Sequence, residues 1–247
     1  MIPKMIHYCW FGKNPLPKLA KKCIASWKKN LPDYEIIEWN ENNFNLGCCD
    51  YVKEAYQTKK YAFVSDYVRL HVLVNYGGIY MDTDVEVIKP IDQFLKYKAF
   101  SGFETKNFIP TGIMACEKNF ELFNEFLEDY KNLNFIKTDG SLETVSNVVR
   151  MTNICKKYGL ILNDKYQMIK DFALFPSEYF CPRRKKEKWK EHVVTENTYT
   201  IHHFAGSWLP FYTRIYKKIL VFLGKYALYM RKLKNVLVKV FKIDRGY

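Results

Sequence analysis

Asp82 and Asp84 stand two apart, directly after the apolar run Ile79-Tyr80-Met81. Alternate residues at the end of a strand project to the same side, so the pair offers hard carboxylate oxygens to one Mg2+ or Mn2+ ion, the grip a metal-bound diphosphate needs. An Asp-x-Asp also serves as a solvated turn, and the residues before it decide between the two. Asp66 and Arg69 lie three apart in an otherwise apolar helical pattern of Ala62, Phe63, Val64, Val68, Leu70, Val72, Leu73 and Val74, and so share a face. Opposite charges on such a face are costly unless matched or used. Gly77 and Gly78 stop the helix and turn the chain into the short strand. That strand carries both acids to its carboxyl end, where open α/β sheets bind ligands.

The elements that must position these groups alternate along the chain. Strands are predicted at Lys4 to Cys9 and Tyr34 to Trp39, with a helix from Leu16 to Lys29 between them and helices from Tyr51 to Asn75 after them. This order argues for a mainly parallel sheet covered by helices. Beyond the Asp pair, strands are predicted at Val85 to Ile88, Ala99 to Glu104, Gly112 to Cys116 and Tyr199 to His203, and helices at Phe120 to Tyr130 and Leu142 to Tyr158. The pattern alone gives an α/β protein with a mixed sheet.

At 247 residues, with 48% hydrophobic and 17% aromatic content, the chain can bury one sizeable core. Its net charge is +13, and the distribution of that charge is informative. From Phe211 to Tyr247 ten basic residues stand against Asp244, so nine of the thirteen excess charges fall in the last 37 residues. They interleave with Ile215, Ile219, Leu220, Phe222, Leu223, Leu228, Leu233, Val236, Leu237, Val240 and Phe241, with no apolar run of the roughly 20 residues that cross a bilayer. The expectation is a catalytic domain over residues 1–210 and a basic amphipathic helical tail over 211–247, lying on an anionic membrane surface. Nucleic acid is not an expected partner, since no recognition module is present and the rest of the chain carries little excess charge. The cluster Arg183-Arg184-Lys185-Lys186 reads as a solvated loop. Seven cysteines without metal or disulfide spacing, and a start that enters a strand with no apolar leader, predict a cytoplasmic protein on the inner face of the cytoplasmic membrane.

The segment from Tyr61 to Asp84, with its Ser-Asp-x-x-Arg, Gly-Gly and Asp-x-Asp elements, resembles glycosyltransferase family 32, which includes bacterial capsule and lipopolysaccharide transferases. Ile2-Pro-Lys-Met-Ile-His-Tyr-Cys-Trp-Phe-Gly12, Ser26-Trp27, Glu38-Trp39-Asn40 and Ile201-His-His-Phe-Ala-Gly-Ser-Trp208 extend the resemblance over about residues 1 to 210. It implies the GT-A fold, a single Rossmann-like domain built around a nucleotide-sugar cleft. It also implies a metal-dependent hexosyl transfer from a nucleotide diphosphate sugar, a UDP-sugar by expectation, to a saccharide or lipid-linked saccharide acceptor in cell-surface polysaccharide synthesis, with retention of configuration.

The same resemblance assigns roles residue by residue. Asp84 is the direct ligand of Mn2+ or Mg2+, and Asp82 reaches the ribose or the metal through water. His203 is the third metal contact, ahead of His202, which reads as a packed histidine. Trp10 stacks on the donor base, and Asp66 and Arg69 hold donor hydroxyls and phosphates. Ser207 and Trp208 donate to the phosphates. Thr111-Gly112-Ile113 departs from the family's Asn-containing segment. Two competing functions use fewer of these residues. A metal-dependent nucleotidyl or phosphoryl transferase would call for a Gly-rich phosphate loop with lysine, and the chain has no Gly-x-x-x-x-Gly-Lys-Ser/Thr. A non-catalytic basic membrane- or nucleic-acid-binding protein accounts for the tail alone.

Overall fold

Three parallel strands hold the motif residues together. β1 (Met5–Cys9) is hydrogen-bonded on one side to β2 (Glu35–Trp39) and on the other to β3 (Gly78–Met81). As the inner strand it buries Ile6, His7, Tyr8 and Cys9, while β2, at the sheet edge, stays half-exposed. α1 (Lys18–Asn30) connects β1 to β2, and α2 (Asp50–Gln57) and α3 (Tyr61–Tyr76) lead to β3. The break between the last two coincides with Lys59, which takes a positive φ of 57°.

The Gly77-Gly78 turn is sterically required. Both residues have positive φ, 70° and 95°, and a Cβ on Gly78 would lie 2.8 Å from the Met5 carbonyl and 3.1 Å from His7 Nε2. His7 locks the turn. Its Nδ1 accepts a bond from Trp39 Nε1 at 3.1 Å, which leaves Nε2–H to donate to the Gly77 carbonyl at 2.9 Å. Burial lowers the His7 pKa, in keeping with this neutral form.

The rest of the sheet is mixed. After β4 (Val85–Val87), β5 (Ala99–Gly102) and β6 (Ile113–Cys116) follow, and then α4 (Glu121–Glu128) and α5 (Asn147–Lys157). A hairpin of β7 (Gln167–Ile169) and β8 (Phe172–Phe175), the short helix α6 (Ser177–Phe180) and β9 (Thr200–His202) complete the order. The main sheet runs β2-β1-β3-β6-β5-β8-β7, with β6 antiparallel to both neighbours, and β4 and β9 form a separate antiparallel pair. Side chains alternate between two apolar layers. Tyr80, Met114 and Cys116 pack into one with Val68, Val72 and Phe123, while Ile79, Met81, Ile113 and Ala115 pack into the other with Trp27, Phe94 and Phe180. This is the expected α/β architecture with a mixed sheet, whose parallel half carries the Asp pair at its carboxyl edge.

The structure is a computed structural model that describes residues 1–105, 107–109, 112–183 and 192–206. Met1–Phe204 is one compact unit; of a second, Ala205–Tyr247, only the first two residues are described. The amphipathic tail expected over 211–247, together with Ser207, Trp208 and the cluster beyond Arg183, therefore lies outside the described residues. Among those described, no helix is long and apolar enough to cross a membrane.

Candidate active site

α3 brings a buried ion pair to the foot of the Asp pair. Arg69 is 6% exposed and Asp66 9%. Arg69 Nη2 lies 3.3 Å from Asp66 Oδ1 and 3.2 Å from Asp82 Oδ1, and its Nε donates to the Ser65 carbonyl at 3.2 Å. The guanidinium lies over the Tyr80 ring at 4.6 Å, and the Tyr80 hydroxyl donates to Asp82 Oδ1 at 3.1 Å. Asp82 is thus held from two sides. Burial alone would lower the Arg69 pKa, but Asp82, Tyr80 and Asp66 raise it and keep the side chain charged. Burial pushes the Asp66 carboxyl up, against the pull of Arg69 and of the Asn147 backbone N–H.

Past the end of β3, the chain turns so that Asp82 N–H donates to the Gly112 carbonyl at 2.8 Å and the Asp82 carbonyl accepts from Val85 at 3.0 Å. α1 fixes the strand that follows. Trp27 Nε1 donates to the Val85 carbonyl at 2.7 Å, Ser26 Oγ accepts from Val87 N–H at 2.9 Å, and Asn30 Nδ2 donates to the Val87 carbonyl at 2.9 Å. The Ser26-Trp27 motif residues therefore act as a clamp on β4. Strand β9 then pairs His202 opposite Val85, which brings its ring to Asp84 with Nε2 3.3 Å from Oδ1.

Asp82, Asp84 and His202 each present a ligand atom, all within 4.8 Å of one another. The histidine in this group is His202, while His203, the expected third contact, is set beside it. The physical reason is strand alternation: β9 ends at His202, and His203, one residue on, turns its Nε2 to Glu86 Oε2 at 2.8 Å. Lys22 Nζ reaches both oxygens of Glu86, Oε1 at 2.8 Å and Oε2 at 2.9 Å. Gly112 makes room for the His202 ring, since a Cβ there would fall 2.9 Å from Nδ1.

The residues present fit a divalent cation. Asp66, Asp82 and Asp84 set three carboxyl groups around the one permanent positive charge of Arg69. Burial opposes protonation of His202, yet Asp84, Cys181 and Asp82 raise its pKa well above 6.5. Two carboxylates with an imidazole suit Mn2+ better than an all-oxygen preference such as that of Mg2+. Glu104, just beyond β5, faces the same group. Burial pushes its carboxyl up, opposed by His202 and reinforced by Asp82.

Trp10 follows β1, half-buried, with its Nε1 donating to the Asn14 carbonyl at 2.5 Å. The loop it starts is clasped by Glu41, which accepts from Gly12 N–H at 2.6 Å and from the Tyr56 hydroxyl at 3.0 Å. The structure thus joins Asp66, Arg69, Asp82 and Asp84 in one contiguous network, adds His202 to it, and sets His203 against Glu86. Sequence reasoning passed over Tyr80, Glu104 and Asn147; of these, only Tyr80 had a signal, its place inside the motif.

Residues 17–101 match the family described as glycosyltransferase sugar-binding region containing DXD motif. The chain is 31% identical over 124 residues to inositol phosphoceramide mannosyltransferase 3 of Schizosaccharomyces pombe, a match covering 47% of this chain and 34% of that protein. It therefore spans about a third of that relative's length. An uncharacterized glycosyltransferase of Acanthamoeba polyphaga mimivirus is 25% identical over 223 residues, 85% of each chain. Among solved structures, a glycosyltransferase involved in the glycosylation of the major capsid of PBCV-1 superposes with a TM-score of 0.43 at 12% identity, covering 81% of this chain and 93% of that one.

Proposed function

Because residues 17–101 of this chain carry the DXD sugar-binding region of a glycosyltransferase, we propose that the protein transfers a hexosyl group from a nucleotide diphosphate sugar, a UDP-sugar by preference, to a saccharide or lipid-linked saccharide acceptor, with retention of configuration. The observation that carries the reading is the convergence of Asp82, Asp84 and His202 within 4.8 Å at the carboxyl end of β3, braced by the Arg69 bridge. Asp82, Asp84 and His202 hold the divalent ion. When bound, that ion supplies Lewis-acid stabilisation of the charge on the departing diphosphate. Arg69 fixes Asp82 and adds a permanent positive charge beside it. Asp66 accepts donor hydroxyls, Trp10 offers its ring to the base, and Ser207 and Trp208 donate to the phosphates. The basic segment 211–247 keeps the enzyme at the inner surface of the cytoplasmic membrane, near a lipid-linked acceptor used in cell-surface polysaccharide synthesis.

The test is a screen of UDP- and GDP-sugars for hydrolysis without acceptor, run with Mn2+, with Mg2+ and with chelator. A mannosyl donor belongs in the panel because the fission-yeast relative bears that name. Metal-dependent cleavage of one donor, lost in Asp84→Ala, supports the reading; cleavage of a nucleoside triphosphate instead would favour nucleotidyl or phosphoryl transfer.

A further inference from the structure

The N-terminus of α5 is docked on Asp66. Ser146 caps the helix in an extended conformation (φ −69°, ψ 157°), and Asn147 is its first residue. The backbone N–H of Asn147, one of the four amides that a helix start leaves without an internal partner, donates to Asp66 Oδ2 at 3.2 Å. Its side-chain Nδ2 donates to the Asp66 carbonyl at 2.7 Å. No acidic residue stands in the first turn of α5, so Asp66, reaching across from α3, supplies the anion that this helix end favours. Asn147 is 1% exposed, and its Oδ1 is buried with no hydrogen-bond partner among the described residues. A buried acceptor left unmade is a cost that a purely packing position would avoid with an apolar side chain.

With Arg69 on Oδ1 and Asn147 on Oδ2, both oxygens of Asp66 are fixed by different elements. The two contacts settle the rotation of the carboxylate. We infer that Asn147 is a positioning residue for sugar transfer, aligning Asp66 by pinning the start of α5 to residue 66 of α3; the inference rests on the reading given under Proposed function. Asn147 does not touch the transferred group. It acts through Asp66, and its loss misplaces the acid that meets the sugar while leaving the diphosphate grip of Asp82, Asp84 and His202 intact.

Two substitutions separate the side chain from the amide. Asn147→Ala removes Nδ2 and keeps the backbone N–H. Asn147→Pro removes both, yet proline is well tolerated at the first helical position, and the extended Ser146 suits a residue before proline. Ile154→Val, which trims the buried face of the same helix, controls for stability. The experiment measures kcat and KM for hydrolysis of the best nucleotide sugar in the screen, affinity for the matching nucleoside diphosphate with Mn2+, and Tm. Asn147→Ala loses a bond to the neutral Asp66 carbonyl, about 1 kcal/mol or about fivefold, whereas Asn147→Pro also loses the amide bond to the charged carboxylate, about tenfold or more. The expected result is a fall of about fivefold in kcat/KM for Asn147→Ala and a larger fall for Asn147→Pro, with diphosphate affinity within about twofold of wild type and Ile154→Val kinetically normal. An active wild type with Asn147→Ala altered only in Tm, or with diphosphate affinity falling in step with kcat/KM, would overturn the inference alone. A wild type that cleaves no nucleotide sugar would overturn the underlying reading, and the inference with it.

Discussion

On the small β4–β9 sheet, His202 faces Asp84 while His203, one residue on, faces Glu86. The two pairs have similar exposure and similar ligand chemistry, but their charge surroundings differ. Glu86 has Lys22 on both oxygens, and although burial alone would raise its pKa, Lys22 and His203 pull it down. Asp84 sits instead with Asp82 and, through Arg69, with Asp66, where three carboxyl groups surround one permanent cation. A histidine–carboxylate pair with its own lysine is a structural tie, whereas one set among further carboxylates is a place for a dication. Charge surroundings, more than residue type, tell the two apart.

The predictions follow from that contrast. Asp84→Ala removes an acid from the carboxyl-rich side, and its metal-dependent donor cleavage should fall by about a thousandfold, the scale seen when a charge-stabilising group is lost, with Tm little changed. Asp66→Asn and Arg69→Lys leave the metal group in place but loosen the network behind it. Each should lower kcat/KM by about tenfold to a hundredfold, the scale of hydrogen bonds to charged groups, and a loss confined to Tm would mark a structural ion pair. Trp10→Ala should raise the donor KM by about tenfold if the ring stacks on the base, since stacking contributes about 1–3 kcal/mol. Glu86→Gln, on the side balanced by Lys22, should alter turnover by about twofold or less while lowering Tm slightly.

The two sides also separate by pH. His202 has its pKa raised above 6.5 in the folded protein, so the stability it contributes without metal is complete below 6.5 and is lost as pH rises through the raised value. Mn2+ competes with that proton. Apparent Mn2+ affinity should therefore climb as pH rises through this range, and His202→Ala should flatten the dependence. A profile unchanged in His202→Ala would remove this histidine from the ligand set.

Much of the motif-bearing half was legible in the sequence. Gly77-Gly78, the apolar face of α3 and the strand ending in Asp82 all follow from steric and period rules, and the structure keeps them within a residue or two. The other half was less legible for identifiable reasons. The β7–β8 hairpin turns on Lys170 and Asp171, both at positive φ (45° and 65°) without a glycine, so the usual turn signal is missing. The helix expected from Leu142 starts at Asn147, because residues before it are held in extended contacts, Leu142 against Ile136 and Glu143 against Phe135. The orientation of β6, antiparallel to both neighbours, depends on connections that leave no local pattern. Two consecutive histidines differ only in the register of the strand that carries them. Which one reaches Asp84 became visible only once Val85 was paired with His202.

The most direct measurement is an electron paramagnetic resonance titration of Mn2+ into wild type, His202→Ala and His203→Ala at pH 8. Three ligands from Asp82, Asp84 and His202 predict one tight Mn2+ per chain in wild type, near-normal binding in His203→Ala, and affinity at least about tenfold weaker in His202→Ala. Unimpaired binding in His202→Ala together with loss in His203→Ala would contradict the account.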